Sequence, residues 1–248
     1  MSQSGTVFPS KIPWMPQNHT IGWISFAAIL NLAFFWGDII PRTMRRFTTD
    51  GGQLLSYLQG GDSALRPLRI LTLIVISHDG ARPREWDNSL IEQILAGKDG
   101  SENDVTANLY GYYHALDCGR IDEAEKRLDE AVALRQLWVA DLQPNILLEA
   151  AYFRAFYRHD AGQARIALDL AKGGIVEEQT RLRAEAAVLL AEGRYEEAAT
   201  KAQAGLQQAP HSVDRGGGIT EAEWLSAILE ECQKRTDQAK EPGPSAID

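Results

Sequence analysis

Two kinds of hydrophobic patterning divide this chain. Near its start, residues 21–36 (IGWISFAAILNLAFFW) are apolar almost without interruption, relieved only by Gly22, Ser25 and Asn31. With Ile39 and Ile40 beyond Asp38, the stretch approaches the roughly 20 residues that a membrane-spanning helix needs. Trp23 and Trp36 lie near its ends, where amphipathic rings favour the membrane–water interface. A second run, residues 68–76 (LRILTLIVI), is too short to span a bilayer alone. It reads either as a half-membrane segment or as a helix buried under the more C-terminal helices. At residues 81–86 (ARPREW) the composition turns charged and mixed, and from 104 to 234 apolar residues recur at helical spacing. The pattern predicts a disordered segment or loop over 1–18, a membrane-associated helical region over 19–80, helical repeats over 81–236 and a disordered tail over 237–248.

Within the repeat region three segments share one plan: a helix, a tight polar turn and a second helix. The turns read GRIDEA at 119–124, HDAGQA at 159–164 and GRYEEA at 193–198. Their final alanines, Ala124, Ala164 and Ala198, are 40 and 34 residues apart. A small residue there lets the second helix approach the first. Ile121 or Tyr195 plugs the space between the helices, and Gly119 and Gly193 can take the left-handed conformation that ends a helix. Leu128 and Ala131, then Ala202 and Leu206, continue the buried stripe. The middle turn has His159 where glycine is usual. Pro210 stops the third unit, after which Gly216 to Gly218 read as a flexible linker. Residues 220–234 (TEAEWLSAILEECQK) form a last helix. Thr220 and Glu223 have capping-box spacing, and Trp224, Leu225, Ile228 and Leu229 form the apolar face that covers the last repeat.

This turn chemistry and the 34-residue interval resemble tetratricopeptide repeats. The expected fold is all-α: a short N-terminal membrane-associated helical segment followed by a tetratricopeptide-like α-solenoid. In such solenoids the first helices line a concave face. Core packing is the default for the aromatic residues on those helices. Where exposed, Tyr110, Tyr113, Tyr152 and Phe156 would form a peptide-binding face.

Charge narrows the partners. The 248 residues carry a formal net charge of -9 with a pI near 5.1, which argues against nucleic acid, since non-specific binding needs a basic face. The expected partners are therefore a protein or peptide segment and a membrane. Cys118 and Cys232 are far apart and have neither disulfide nor metal-ligand spacing, in keeping with a reducing compartment. Arg42, Arg45 and Arg46 follow the apolar run while Lys11 alone precedes it, so the positive-inside rule puts the repeats in the cytoplasm.

Residues 38–55 (DIIPRTMRRFTTDGGQLL) resemble the C-terminal half of the site-2-protease (M50) membrane metallopeptidases. The resemblance continues through GARPREW at 80–86 and LYGYYHALDCGRIDEA into the repeats, which look like the tail of bacterial members. It implies that Asp50, before Gly51, is the third zinc ligand. The bare residues allow another role for this segment, an ordinary helix start capped by Thr49 or Asp50. The family also needs His-Glu-x-x-His, whose histidines bind zinc and whose glutamate activates water. His19, His78, His114, His159 and His211 have no such spacing. The chain thus has no cofactor as it stands, and zinc only if the histidine motif is supplied. It reads as a membrane-tethered interaction module, a truncated or degenerate homologue. The alternative is the C-terminal portion of an active intramembrane protease. His114, Asp117 and Cys118 lie close together on one predicted helix, but repeat packing accounts for residues of these types there.

Overall fold

The computed structural model describes residues 19–44, 47–60 and 62–240, and they are almost entirely helical. The expected loop over 1–18 and the end of the expected tail, 241–248, lie outside the described residues. The chain forms two compact units, divided between Ala64 and Leu65.

The first unit holds α1 (His19–Ile39), a two-stranded antiparallel ribbon of β1 (Thr43–Met44) and β2 (Phe47–Thr48), and α2 (Asp50–Gln59). Every described side chain of α1, from Trp23 to Ile39, is exposed. The apolar run forms a helix, as its composition predicts, but among the described residues no helix is long and apolar enough to cross a membrane. Residues 21–36 rise only about 24 Å at 1.5 Å each, short of a hydrocarbon core of about 30 Å, and Asp38 closes the run. The expectation of a transmembrane helix is corrected accordingly. At the start of α2, Thr49 is the N-cap: its hydroxyl accepts the Gly52 N–H (3.3 Å) and donates to the Ile40 carbonyl just past α1 (2.8 Å). A Cβ at Gly51 would fall on the Ile39 carbonyl, so this glycine is needed for α2 to begin against the end of α1.

The second unit begins within α3 (Asp62–His78), whose residues from Leu65 onward belong to it, and so starts well before residue 81. One side of α3 is buried: Ile70 and Leu73 pack with Trp86 and with Ile91 and Ile94 of α4 (Asn88–Ala96). Arg66 donates to the Ile94 carbonyl (2.7 Å) and pairs with Asp104 (2.6 Å). Three hairpins follow: α5 (Glu102–Asp117) with α6 (Ile121–Leu134), α7 (Gln143–Phe156) with α8 (Ala161–Leu170), and α9 (Glu178–Ala191) with α10 (Tyr195–Gln208). The longer first interval is taken up by two 3₁₀ turns, Arg135–Leu137 and Ala140–Leu142.

The turns behave as their residues predict. Gly119 (φ 74°) and Gly193 (φ 79°) are left-handed. At each, the next N–H reaches back to a carbonyl five residues earlier: Arg120 to Ala115 (2.8 Å) and Arg194 to Leu189 (2.9 Å), the Schellman closure. His159 takes the same region at φ 54° and is the one non-glycine to do so among the described residues. The middle turn therefore keeps the geometry at a backbone cost that glycine avoids. Ala124, Ala164 and Ala198 are all fully buried.

The C-terminal end differs from expectation. Gly216 to Gly218 are not a linker; they form the first turn of α11 (Arg215–Lys240). Asp214 receives the Gly217 N–H on its carboxylate (3.0 Å). A Cβ at Gly216 would strike the Ala81 carbonyl, and one at Gly218 would lie 2.7 Å from that of Ala209. These glycines let backbone pack on backbone. Thr220 is then inside the helix, buried, with its hydroxyl on the Gly216 carbonyl (3.0 Å), and α11 continues past residue 237 into the expected tail.

Ala198→Leu should lower stability by roughly 1–3 kcal/mol, the usual cost of overpacking, because this alanine lies where α10 meets the core. The exposed Glu196→Ala should stay within about 0.5 kcal/mol. Thermal melts of the full chain followed by circular dichroism check both. Equal melting of the two variants would show that the alanine does not set the helix spacing.

Candidate functional site

Helices α5 and α7 turn aromatic residues toward one interior, and α9 places a charge at its centre. Arg183 of α9 has no exposed side-chain surface. Its Nη2 donates to Glu149 Oε1 of α7 (2.6 Å), and its Nε to Glu221 Oε2 of α11 (2.6 Å). The guanidinium carbon lies 4.0 Å from the ring centre of Tyr152 and 4.9 Å from that of Trp224. Glu149 also accepts the hydroxyls of Tyr112 (3.0 Å) and Tyr113 (3.2 Å) of α5, and Glu221 accepts that of Thr180 (2.8 Å). Two carboxylates thus share one buried cation. Burial pushes the Glu221 carboxyl above its ordinary range against the pull of Arg183, with Glu149 adding to the rise. Burial likewise drives the phenols of Tyr112, Tyr113 and Tyr152 well upward.

This filling corrects the expected peptide face. Tyr152 is fully buried against Trp224 and Arg183. Tyr113 is half-buried with its hydroxyl on Glu149, and Phe156 is half-buried and stacked on Tyr152. Tyr110 is half-buried, stacked on Trp86 at 5.2 Å. The rings meet one another and α11 instead of lining an open groove.

The other singled-out residues separate. Buried His114 faces the Pro83 carbonyl through Nδ1 (2.6 Å) and Asn88 through Nε2 (2.7 Å). A carbonyl only accepts, so Nδ1 carries the proton there. Asp117 turns instead to Arg82 (2.6 Å) and Arg84 (3.2 Å), both of which also reach Glu223 (2.7 and 2.8 Å). Burial alone would raise the Asp117 carboxyl, but hydrogen bonds from these arginines hold it below its ordinary range. Cys118 is exposed and Cys232 buried, both free thiols. His114, Asp117 and Cys118 therefore form no catalytic set. Asp50 is exposed in the first turn of α2. Among the described residues no three His, Cys, Asp or Glu side chains lie together as a metal site, and one carboxylate does not hold a zinc ion.

An opening remains on the other side of α5, between α4 and α6. It measures about 450 Å³ and is flanked by Glu92, His114, Arg120, Glu123 and Arg127. Arg120 pairs with Glu123 (3.0 Å), whereas Arg127 Nε is buried with no hydrogen-bond partner among the described residues. The lining therefore offers charges of both signs and one unmet donor. Sequence reasoning missed this groove because α4 and α6 are not neighbours along the chain, and it missed Arg183 for the same reason.

Compared with protein-family models, curated proteins and solved structures, the chain matches none.

The buried cation has a measurable signature. Arg183→Met should cost roughly 3–5 kcal/mol near neutral pH, because it strands buried carboxylates. Glu221, with its folded-state value raised above 4.5, favours folding fully below that ordinary value, and its contribution is lost as pH rises through the raised one. Asp117, held below 3.8, acts oppositely: its contribution is present above that value and lost on acidification. The deficit of Arg183→Met relative to the parent should therefore shrink as pH falls from neutral and Glu221 takes up a proton. Urea unfolding at two pH values checks this, and a pH-independent deficit would leave packing, not charge, as the cause.

Proposed function

We propose that this chain is a helical-repeat interaction module, of the tetratricopeptide-like solenoid kind, held at a membrane surface by α1. The observation that carries the reading is the exposure of α1 on every side. Trp23, Ile24, Phe26, Ile29, Leu30, Phe34 and Trp36 all face outward. A protein partner covers one face of a helix, whereas lipid covers them all, and a helix apolar all round needs such cover. Arg42, Arg45 and Arg46 follow in sequence and would meet anionic headgroups of the cytoplasmic leaflet, with the hairpins on the cytoplasmic side. The partner is a protein or peptide segment. The groove between α4 and α6 is the surface best fitted to it, since Arg127 can meet a carboxylate while Glu92 and Glu123 meet a basic group.

Vesicle flotation tests the membrane part. The full chain should rise with phosphatidylcholine–phosphatidylserine vesicles, and Phe26→Glu combined with Leu30→Glu should leave it at the bottom of the gradient. A parent chain that does not float would defeat the reading.

The second reading, a C-terminal portion of an M50-like zinc protease, rests on the exposed carboxylate of Asp50 at a helix start. It requires a histidine pair from outside these residues. The purified chain should therefore hold no stoichiometric zinc by metal analysis. One tightly bound zinc per chain, lost on Asp50→Ala, would reverse this and restore the protease reading.

A further inference from the structure

We infer that the outer face of α3 is a second lipid-contacting surface, which lays the repeat-bearing unit against the membrane instead of leaving it on a free tether. The inference rests on the proposed membrane attachment through α1 and adds to it the orientation of the second unit.

The two faces of α3 have opposite fates. Inward, Arg66, Ile70, Leu73 and Ser77 are buried. Outward, Leu65, Leu68, Leu71 and Val75 are 38%, 42%, 53% and 51% exposed, and their spacing of three and four residues makes one continuous stripe. The inner face is held by more than packing: Arg66 pairs with Asp104 at 2.6 Å, and the Ser77 hydroxyl donates to Asp214 at 2.7 Å. The helix therefore cannot roll to hide its leucines without stranding a buried arginine. The stripe is a fixed property of this unit.

Lipid is the occupant that the distribution of apolar surface favours. Among the described residues, most of the exposed large apolar side chains lie between Trp23 and Val75, on α1, α2 and α3, and few lie beyond. On α2 they are Leu54, Leu55 and Leu58. Three successive helices thus put apolar surface into water, while on the hairpins after them such exposure is confined to Ile166 and Leu170 of α8. From Ala64 to Ser77 the charged residues are Arg66 and Arg69 alone. A stretch free of acidic residues in a chain of net charge -9 is the part that anionic headgroups would repel least. A helix with one face on protein and an aliphatic face outward suits shallow burial at the interface.

The test uses the full chain with Cys118→Ser and a single environment-sensitive nitrobenzoxadiazole label, Cys232 being buried. The label is placed in turn by Leu71→Cys on the stripe, Ile29→Cys on α1 and Glu196→Cys on an exposed hairpin turn. Phosphatidylcholine–phosphatidylserine vesicles should brighten and blue-shift the label at 71 and 29 and leave 196 unchanged. Doxyl-labelled lipid should quench the first two. A label at 29 that enters lipid while that at 71 stays in water overturns the α3 surface and leaves the membrane reading standing. If neither enters, both fall. A shift at 71 without vesicles that grows with protein concentration would assign the stripe to a second copy of the chain and overturn the lipid assignment. Leu68→Ser with Leu71→Ser should weaken vesicle binding by roughly tenfold or more, with the melting transition in the absence of vesicles kept.

Discussion

Arg183 carries a charge into a place without water, and the second unit is arranged around that fact. An isolated buried guanidinium is very costly, so the partners must be present and correctly placed. They come from different helices. Glu149 and Tyr152 belong to α7, Glu221 and Trp224 to α11, and Tyr112 and Tyr113 of α5 complete the coordination of Glu149. Packing of alanine-rich helices is tolerant of small slides, because dispersion has little direction. A guanidinium with carboxylates at 2.6 Å on two sides is not tolerant. The alanines allow the hairpins to approach, and the charge network selects one register among the approaches they allow. A buried ion pair often adds little net stability compared with an apolar filling, so register specification is the role that suits it here.

The same network explains why the first helices offer no open face. Once α11 brings Glu221 and Trp224 to Arg183, it occupies the space that a bound peptide would need. Its first turn is fixed at the other end of the unit as well. Asp214 accepts the Ser77 hydroxyl, Gly216 lies against the Ala81 carbonyl, and Glu223 meets Arg82 and Arg84. Asp117 at the end of α5 holds the same two arginines. The last helix is therefore tied to the segment that precedes the hairpins. The open space lies instead on the outside, where α4 and α6 leave a gap over α5 with Arg127 Nε unmet among the described residues.

The parts of this fold that depend on local rules were legible from the residues. Helices follow from apolar spacing, and the turns from Gly119, Gly193 and the alanines that close each turn. Even His159 obeyed the register against its own preference, because neighbouring hairpins impose it. The parts that failed depend on distant partners. Arg183 lies within RLRAEAAVLL, and its partners are 34 and 38 residues away. The available signal was Glu149, a lone charge in the apolar stretch LLEAAYF; Arg183, with Arg181 and Glu185 two residues to either side, gave none. Gly216 to Gly218 show the same limit in another form. A glycine run reads as freedom when nothing is known of what lies opposite, and as close contact once the Ala81 and Ala209 carbonyls are seen there.

The proposed placement of α1 in lipid raises the question of how a helix interrupted by polar residues would fit there. Its backbone groups are satisfied along its own axis, as any helix in hydrocarbon requires. The polar residue at the centre of the run, Asn31, donates its amide to the Ala27 carbonyl one turn back (2.8 Å), which meets part of its need without water. The strongly polar positions, Asp38 and Arg42, lie together at the C-terminal end. If α1 enters lipid as proposed, a helix about 24 Å long in its apolar part, with polar groups at that end, would be held there at the headgroups while the rest sank. It cannot carry both ends across a core of about 30 Å. On the proposed reading, immersion from one side would let every apolar face of α1 leave water with no need to cross the bilayer.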